Sequence, residues 1–487
     1  MEGLSFAERM EDTRKRLNKV SPSFCVAKWK QVTLHLGNGT NHSCHHPQVH
    51  SFDLDDIKEN PNALHNTKYK KSLRKQMLEG ERPRECDYCW RVEDANSNDS
   101  GVFSDRIVKS SDSWAKVHIE DLATQPWDQD VYPTYVEVDF ENTCNFKCAY
   151  CSPSYSSQWA KEIRDYGHYQ FDSDPRLNFN DMDHINKHSK MPMDPENNPY
   201  IEAFWKWFPE AVKHMQHFRV TGGEPLMSKN LMKVLDYLIA NPQPGLKFYV
   251  NSNLNPSKVL WDKFLEKIDL MKKNNSVASV SIYTSCEAHG KRAEYIRFGM
   301  NYDEWLKNVE TLLSKNITTT VMCTFNLLSI GSYRLFLEDV LKLKLKYRAP
   351  HNTPYLLIDT PYVRHPEFLA AWIAGPEEIE PMVDTITWMY RNMERTNWPA
   401  LCGKGFFEYE VEQLRRIYAT ALELHHNYWQ DGRMEQIRRA FYQFVNEYDR
   451  RRKTNFLETF PELENLYLQC KQRYDFWKET NIPIKNI

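Results

Sequence analysis

Net charge is almost missing from this 487-residue sequence: 63 Lys plus Arg stand against 66 Asp plus Glu, leaving −3 at neutral pH. A chain so balanced carries no bulk electrostatic footprint for nucleic acid. No apolar run reaches membrane-spanning length, and the opening Met1 to Met10 stretch lacks the apolar core of a signal peptide. The expectation is a soluble, cytoplasmic protein of two or three domains. Thiols stay reduced in that compartment, so the eleven cysteines read as metal ligands and not as a disulfide framework. The 14 Trp and 26 Tyr suit an aromatic-lined pocket and ordinary core packing equally well.

The stretch Val136-Glu-Val-Asp-Phe140 alternates apolar and acidic residues and reads as a short strand. Past its end come Cys144, Cys148 and Cys151, at spacings of four and three. Three thiolates so placed wrap one corner of an iron–sulfur cube and leave one iron open to a small molecule. A zinc knuckle is the alternative, but zinc normally fills four positions and favours paired Cys-x2-Cys units.

A Cys-x3-Cys-x2-Cys loop directly after a strand resembles the radical S-adenosylmethionine (SAM) superfamily. The resemblance implies a [4Fe–4S] cluster whose open iron chelates SAM. Its electron splits the sulfonium into methionine and a 5′-deoxyadenosyl radical, which takes a hydrogen atom from the substrate. A second motif agrees. Phe218 to Thr221 reads as a strand ending in Gly222-Gly223-Glu224, where bare backbone approaches a ligand and the acid accepts from an ammonium group. In the superfamily that motif holds the SAM amino group.

Downstream, strands and helices alternate, with polar residues gathered at strand ends; six such repeats build a parallel barrel with its site at the C-terminal rim. The fold class expected is α/β, a partial (β/α)6 TIM-type barrel over residues 132–364. By resemblance, Tyr150 flanks the adenine, Ser252 or Asn253 sits near the SAM polar groups, Arg297 pairs with its carboxylate, and Asn326 contacts the nucleoside. Relatives carry Ser-x-Asp on the fourth strand where this chain has Ser281-Ile-Tyr283, so the ribose contact departs from the pattern, with Glu287 as a substitute. A capping or turn role is the plain alternative for each of these polar residues.

Cys25, Cys44, Cys86 and Cys89 form a separate set. A hairpin with two separated cysteines, then a helix, then Cys-x2-Cys resembles the twitch domain, the shortened SPASM module that holds an auxiliary [4Fe–4S] cluster. Here it precedes the barrel, spanning residues 24–92 as a small α+β domain. Structural zinc is the rival, with His42, His45 and His46 beside Cys44 as replacement ligands. Residues 1–23 read as a peripheral helix and 93–131 as a linker with a short helical or extended segment packed on the barrel edge. The polar stretch 170–200 is too long for an ordinary loop and reads as a lid or a disordered insertion. Residues 365–487 form a helical cap.

Cys323 and Cys470 read as buried small hydrophobes, whereas Cys286 and Cys402 are more exposed by pattern and are candidate hydrogen-atom donors. The function expected is a radical SAM oxidoreductase acting on a peptide by crosslinking, epimerisation or oxidation, with the auxiliary cluster as electron relay. An external reductant such as flavodoxin or ferredoxin is implied. No winged-helix peptide-recognition domain is evident. The alternatives are a small-molecule dehydrogenase of the same superfamily and a zinc-binding interaction scaffold.

Overall fold

The computed structural model describes residues 5–95, 102–188, 193–347, 355–393 and 405–480. Its strands are β1 Gln31–His35, β2 Thr40–His42, β3 His50–Ser51, β4 Tyr135–Asp139, β5 Lys147–Cys148, β6 His217–Thr221, β7 Gln243–Asn251, β8 Val277–Ser285, β9 Arg297–Phe298, β10 Thr318–Met322 and β11 Leu356–Asp359. The chain is α/β, its parallel strands alternating with helices as in a partial (β/α)6 barrel, followed by a helical C-terminal region. Two compact units are distinguished. The first is built from residues 1–142, 189–250 and 259–280, the second from 143–188, 251–258 and 281–487. Among the described residues no helix is long and apolar enough to cross a membrane.

In the first unit the strands run β7-β6-β4-β1-β2-β3. The first four are parallel, and β2 and β3 are antiparallel additions. β1 therefore lies beside β4, in register from Gln31 opposite Tyr135 to His35 opposite Asp139. The strand read as part of a separate cysteine module is thus a member of the main sheet. The physical reason lies in the pleat: Val32 and Leu34 are fully buried and continue the apolar face set by Val136 and Val138. Each such side chain contributes roughly 1.5–3 kcal/mol relative to exposure.

Helix Pro199–Ala211 covers that apolar face, with the Phe208 ring 5.1 Å from Phe218 of β6. It starts where it does because Asn198 accepts from the Tyr200 and Ile201 amides and Pro199 fits the first helical position. The opposite face carries Tyr135, Glu137 and Asp139 of β4 and is polar.

One N-terminal expectation changes and another is extended. Helix Phe6–Val20, opened by a Ser5/Glu8 capping box, is not peripheral, because Met10 and Leu17 insert among Phe24, Trp29 and Trp114. The stretch read as a linker forms three short helices, Asp105–Ser111, Ser113–Lys116 and Ile119–Thr124, which bury Ile107, Trp114 and Leu122 in the same core.

In the second unit β10 lies between β8 and β11, all parallel, and β5 pairs antiparallel with β9. The long C-terminal helices are Pro376–Arg391, Glu408–Gln430, Arg433–Arg452 and Glu464–Thr480. Glu410 fastens the second of these to the sheet: its carboxylate takes the Lys344 ammonium at 2.7 and 2.6 Å and the Ile358 amide of β11 at 2.8 Å. An edge-strand N–H is thereby satisfied. Within the long insertion, the described part pairs Phe179 with Tyr169 and sets the Phe179 ring edge-on to Phe368 and Phe444.

Candidate active site

The three-cysteine loop belongs to the second unit and is held from several sides. β5 puts Cys148 opposite Arg297 and Lys147 opposite Phe298. Gly299 adopts a φ of +110°, and a Cβ there would stand 2.8 Å from the Asn145 carbonyl oxygen, so only glycine lets the two segments lie so close. Asn145 donates to the Asn255 carbonyl and accepts from Asn253 Nδ2, both at 2.7 Å. The Trp159 indole donates to the Cys148 carbonyl at 2.8 Å, Asn180 to the Cys151 carbonyl at 3.1 Å, and the Cys151 amide turns back onto Cys148 at 3.0 Å.

A buried charge array backs the loop. Arg297 Nη1 donates to Cys148 Sγ at 3.8 Å, while its Nε and Nη2 donate to Glu287 Oε2 at 2.9 and 2.6 Å. The Tyr150 hydroxyl donates to the other Glu287 oxygen at 3.0 Å. Burial raises the Glu287 pKa, partly countered by Arg297, and raises that of Cys148 despite the same guanidinium. Burial and the neighbouring Cys148 push Cys151 up to about 12. Loading a metal here must therefore displace protons from buried thiols.

In the first unit, Gly222 sits at φ +120°, and a Cβ would fall 2.6 Å from Asp139 Oδ1 and 2.9 Å from the Glu141 carbonyl. The Gly223 amide donates to that carbonyl at 3.1 Å. Glu224 is 1% exposed and caps the short turn Pro225–Met227 by accepting from the Leu226 amide at 3.0 Å.

Residues 139–331 match the Radical SAM superfamily. The chain carries a radical SAM domain. That makes it a SAM-dependent enzyme and implies a [4Fe–4S] cluster. No curated protein matches the chain. Among solved structures, Streptococcus suis SuiB bound to S-adenosylmethionine is similar at 12% identity, covering 75% of this chain and 70% of that one, with a TM-score of 0.33. SuiB bound to precursor peptide SuiA gives 12% identity, 79% and 72% coverage and a TM-score of 0.33. SuiB by itself gives 13%, 75%, 69% and 0.30.

The radical SAM domain's loop carries the donor type its family's cluster needs, three cysteine sulfurs with a guanidinium beside one of them. Other residues singled out by resemblance have roles of their own in the fold. Ser252 Oγ accepts from the Leu254 amide at 3.0 Å, and Asn253, besides reaching Asn145, accepts from the Asn255 amide at 2.9 Å. Asn326 caps the turn Leu327–Ser329 and is 1% exposed. Ser281 lies on β8 opposite Thr318. Arg297 and Glu287, expected toward SAM, are engaged with each other. Cys286 is buried and not exposed; its thiol donates to the Ala288 carbonyl at 3.2 Å. Cys323 and Cys470 are buried, and Cys402 lies outside the described residues.

The four N-terminal cysteines meet in the first unit. Cys25, Cys44, Cys86 and Cys89 line one small cavity of about 20 Å³, together with Lys28, His46 and Arg106. Cys86 ends a 3-10 turn that runs into helix Asp87–Ala95, which places Cys89 one turn further along the same wall. Burial raises the Cys25 pKa and pushes Cys86 up to about 12. Lys28 is ion-paired with Glu85, and Arg106 with Glu93 at 2.8 Å. Of the three histidines, His42 turns its Nε2 to His35 at 3.1 Å, and His46 pairs with Asp105 at 2.9 Å. Among the described residues, no three His, Cys, Asp or Glu side chains are grouped to hold a single metal ion. The described cysteines are all free thiols.

Sequence reasoning missed the guanidinium–carboxylate–phenol array of Arg297, Glu287 and Tyr150 as a unit. It also missed the polar face of β1, β4 and β6. The alternation in Val136-Glu-Val-Asp was the available signal for the latter.

Proposed function

We propose that the chain is a radical SAM oxidoreductase with two [4Fe–4S] clusters and that it crosslinks, epimerises or oxidises a peptide. Cys144, Cys148 and Cys151 hold the first cluster; Cys25, Cys44, Cys86 and Cys89 hold the second. The observation that carries the two-cluster reading is the meeting of the four N-terminal cysteines on one cavity. Four thiolates leave a cube no open corner, so that centre suits electron relay and not substrate binding. Lys28 and Arg106 in the same wall offset the thiolate charge. The resemblance of residues 24–92 to modules of peptide-modifying relatives supports the peptide class.

Bound to the three-cysteine loop, the first cluster supplies reductive cleavage of the SAM sulfonium and so the 5′-deoxyadenosyl radical that abstracts hydrogen. The chain's own residues hold and orient. Asn145, Asn180 and Trp159 fix the loop backbone, and Arg297, fixed in turn by Glu287, places a positive charge at Cys148. Glu224 and the bare backbone at Gly222 and Gly223 are offered to the SAM amino group. A flavodoxin or ferredoxin class donor supplies the electron.

Anaerobic reconstitution tests this reading, with roughly eight irons per chain expected, two cubes' worth. Alanine at Cys144, Cys148 and Cys151 is expected to abolish 5′-deoxyadenosine formation and leave about four irons. Alanine at Cys86 and Cys89 is expected to spare SAM cleavage and suppress product. A colourless protein holding stoichiometric zinc would overturn the proposal.

A further inference from the structure

Helices Arg433–Arg452 and Glu464–Thr480 pack side by side, and an open groove of about 590 Å³ lies between them. Rings close part of the seam, Tyr442 resting on Tyr467 and Tyr474 at 5.3 Å each. The groove itself is polar. Glu435 and Arg439, one turn apart, face it from the first helix, and Gln469, Gln472 and Arg473 face it from the second. Phe476, 69% exposed, adds an apolar ring to the same wall.

Positive charge exceeds negative here. Arg473 is ion-paired with Glu435. Among the described residues Arg439 has neither a hydrogen-bond nor an ion-pair partner, and its Nε is buried. Arg438 is 4% exposed and donates only to neutral oxygens, Gln469 Oε1 and the Ile373 carbonyl, both at 2.9 Å. The Arg438 and Arg473 guanidiniums lie over the Trp429 ring at 5.1 and 4.6 Å, which fixes them without neutralising them. The other carboxylates around the two helices are engaged: Asp174 with Arg176 at 2.9 and 2.7 Å, Glu378 with the Gly375 amide at 2.7 Å, and Asp475 with Lys471 at 2.6 Å. Asp172 lies by Tyr474, which is not part of the groove wall. Three guanidiniums therefore meet one carboxylate. Burial lowers the pKa of both Arg438 and Arg439, and the neighbouring Arg473 charge lowers each further.

Such an array calls for an anion, and the shape of the groove narrows the kind. From Gln469 to Thr480 it follows about 16 Å of helix, the span of roughly five residues of extended chain. A lone small anion would leave most of it empty. The Gln469 oxygen is taken by Arg438, so its amide is left to donate, and the Gln472 side chain both donates and accepts, as peptide backbone requires. We propose that this groove docks an acidic segment of a peptide, with Arg439 and Arg473 taking its carboxylates and Phe476 covering an apolar side chain. Arg439 and Arg452 lie about 20 Å apart along one helix, and Arg452 is the residue that meets the cysteine loop at the Lys147 carbonyl. The docked segment is thus remote from the reacting atoms. That the peptide is the substrate rests on the function proposed above; the binding itself requires neither cluster.

The test titrates the full chain, cysteines intact, into a fluorescein-labelled Glu-Glu-Phe-Glu-Glu peptide and reads fluorescence anisotropy. This peptide is expected to saturate, and its Gln-Gln-Phe-Gln-Gln analogue is not. Inorganic phosphate at matched ionic strength is expected not to displace it. Arg439→Gln strands no partner and is expected to melt with the parent. It is expected to weaken binding roughly tenfold or more, the loss of one hydrogen-bonded charge. Gln472→Glu, at an exposed position, puts a carboxylate into the groove and is expected to weaken binding as well; it decides the matter if Arg439→Gln fails to fold. The proposal is overturned if the glutamate peptide does not saturate, if the glutamine analogue binds equally, or if a folded Arg439→Gln binds like the parent. Displacement by phosphate also overturns it, since the groove would then be a simple anion site. Iron content and 5′-deoxyadenosine formation, measured on the same samples and expected unchanged in Arg439→Gln, report separately on the radical SAM reading.

Discussion

Arg297 stands between a sulfur and a carboxylate, with Nη1 3.8 Å from Cys148 Sγ and Nη2 2.6 Å from Glu287 Oε2. Arg297 is 6% exposed and Glu287 1%, so neither charge has water to fall back on. Removing one partner of such a pair strands the other, at a cost of roughly 3–5 kcal/mol. Arg297→Gln is therefore expected to lower stability by about that much, and the double variant Arg297→Gln with Glu287→Gln by less than the sum of the singles. Urea denaturation of the four proteins closes the cycle. A coupling energy of zero would mean that the two side chains do not act as a pair.

The cysteine loop is also fixed by amides. Asn145 exchanges hydrogen bonds with the segment after β7, giving to the Asn255 carbonyl and taking from Asn253. Each net hydrogen bond is worth about 1 kcal/mol, and a stranded buried partner costs more. Asn145→Ala is expected to lower stability by roughly 1–3 kcal/mol. It is also expected to speed the loss of iron to a chelator severalfold, followed as bleaching of cluster absorbance. Unchanged bleaching would show that the strand pairing of β5 with β9 suffices to hold the loop.

Much of this was legible in the sequence. The cysteine loop follows a strand, as the alternation through Val136 and Val138 implied, and the Gly222-Gly223-Glu224 turn follows the next long one. The stretch after the barrel is helical, as expected of residues 365–487. What was not legible depends on distant pairing. Nothing local in Gln31 to Leu36 says that this strand lies parallel to one about a hundred residues later, because parallel register is fixed by tertiary packing. Helix Phe6–Val20 looked peripheral because its charges outnumber its apolar residues; two positions, Met10 and Leu17, decide its burial. Cys286 looked exposed beside polar neighbours, yet Glu287 turns inward because Arg297 is there to meet it.

Helix Arg433–Arg452 ends against the back of the same loop. The Arg452 side chain, fully buried, donates to the Lys147 carbonyl at 2.7 Å and to Glu162 at 3.2 Å, and lies over the Tyr448 and Trp159 rings at 3.8 and 4.6 Å. Arg450, two residues away, is 59% exposed and pairs with Glu447. Arg452→Met is expected to cost roughly 2–4 kcal/mol, since Glu162 loses one of its three cationic partners, keeping Lys147 at 2.6 Å and Arg451 at 3.9 Å, and the Lys147 carbonyl is stranded. Arg450→Ala is expected to stay within about 0.5 kcal/mol of the parent. Thermal denaturation of the two variants side by side checks this. Equal losses would show that the helix end contributes by its general charge and not by the Arg452 contacts.

Acid should weaken the first unit through His217. Its ring is stacked with Tyr135 and Tyr249 at 5.6 and 5.7 Å, and its Nδ1 shares a hydrogen bond of 2.9 Å with the Tyr249 hydroxyl. Burial, then the nearby Lys247 and Arg219, lowers its pKa to about 4. An unfolded histidine titrates near 6.5, so between about pH 4 and 6.5 the unfolded chain holds the extra proton. The stability this neutral ring supports is present above pH 6.5 and is lost as pH falls through that window. The slope is at most about 1 kcal/mol per pH unit once partial exposure is discounted. His217→Gln, which cannot take up the proton, is expected to flatten the fall in melting temperature between pH 6.5 and 4.5 relative to the parent. Parallel curves for the two proteins would show that the ring is not held neutral by the fold.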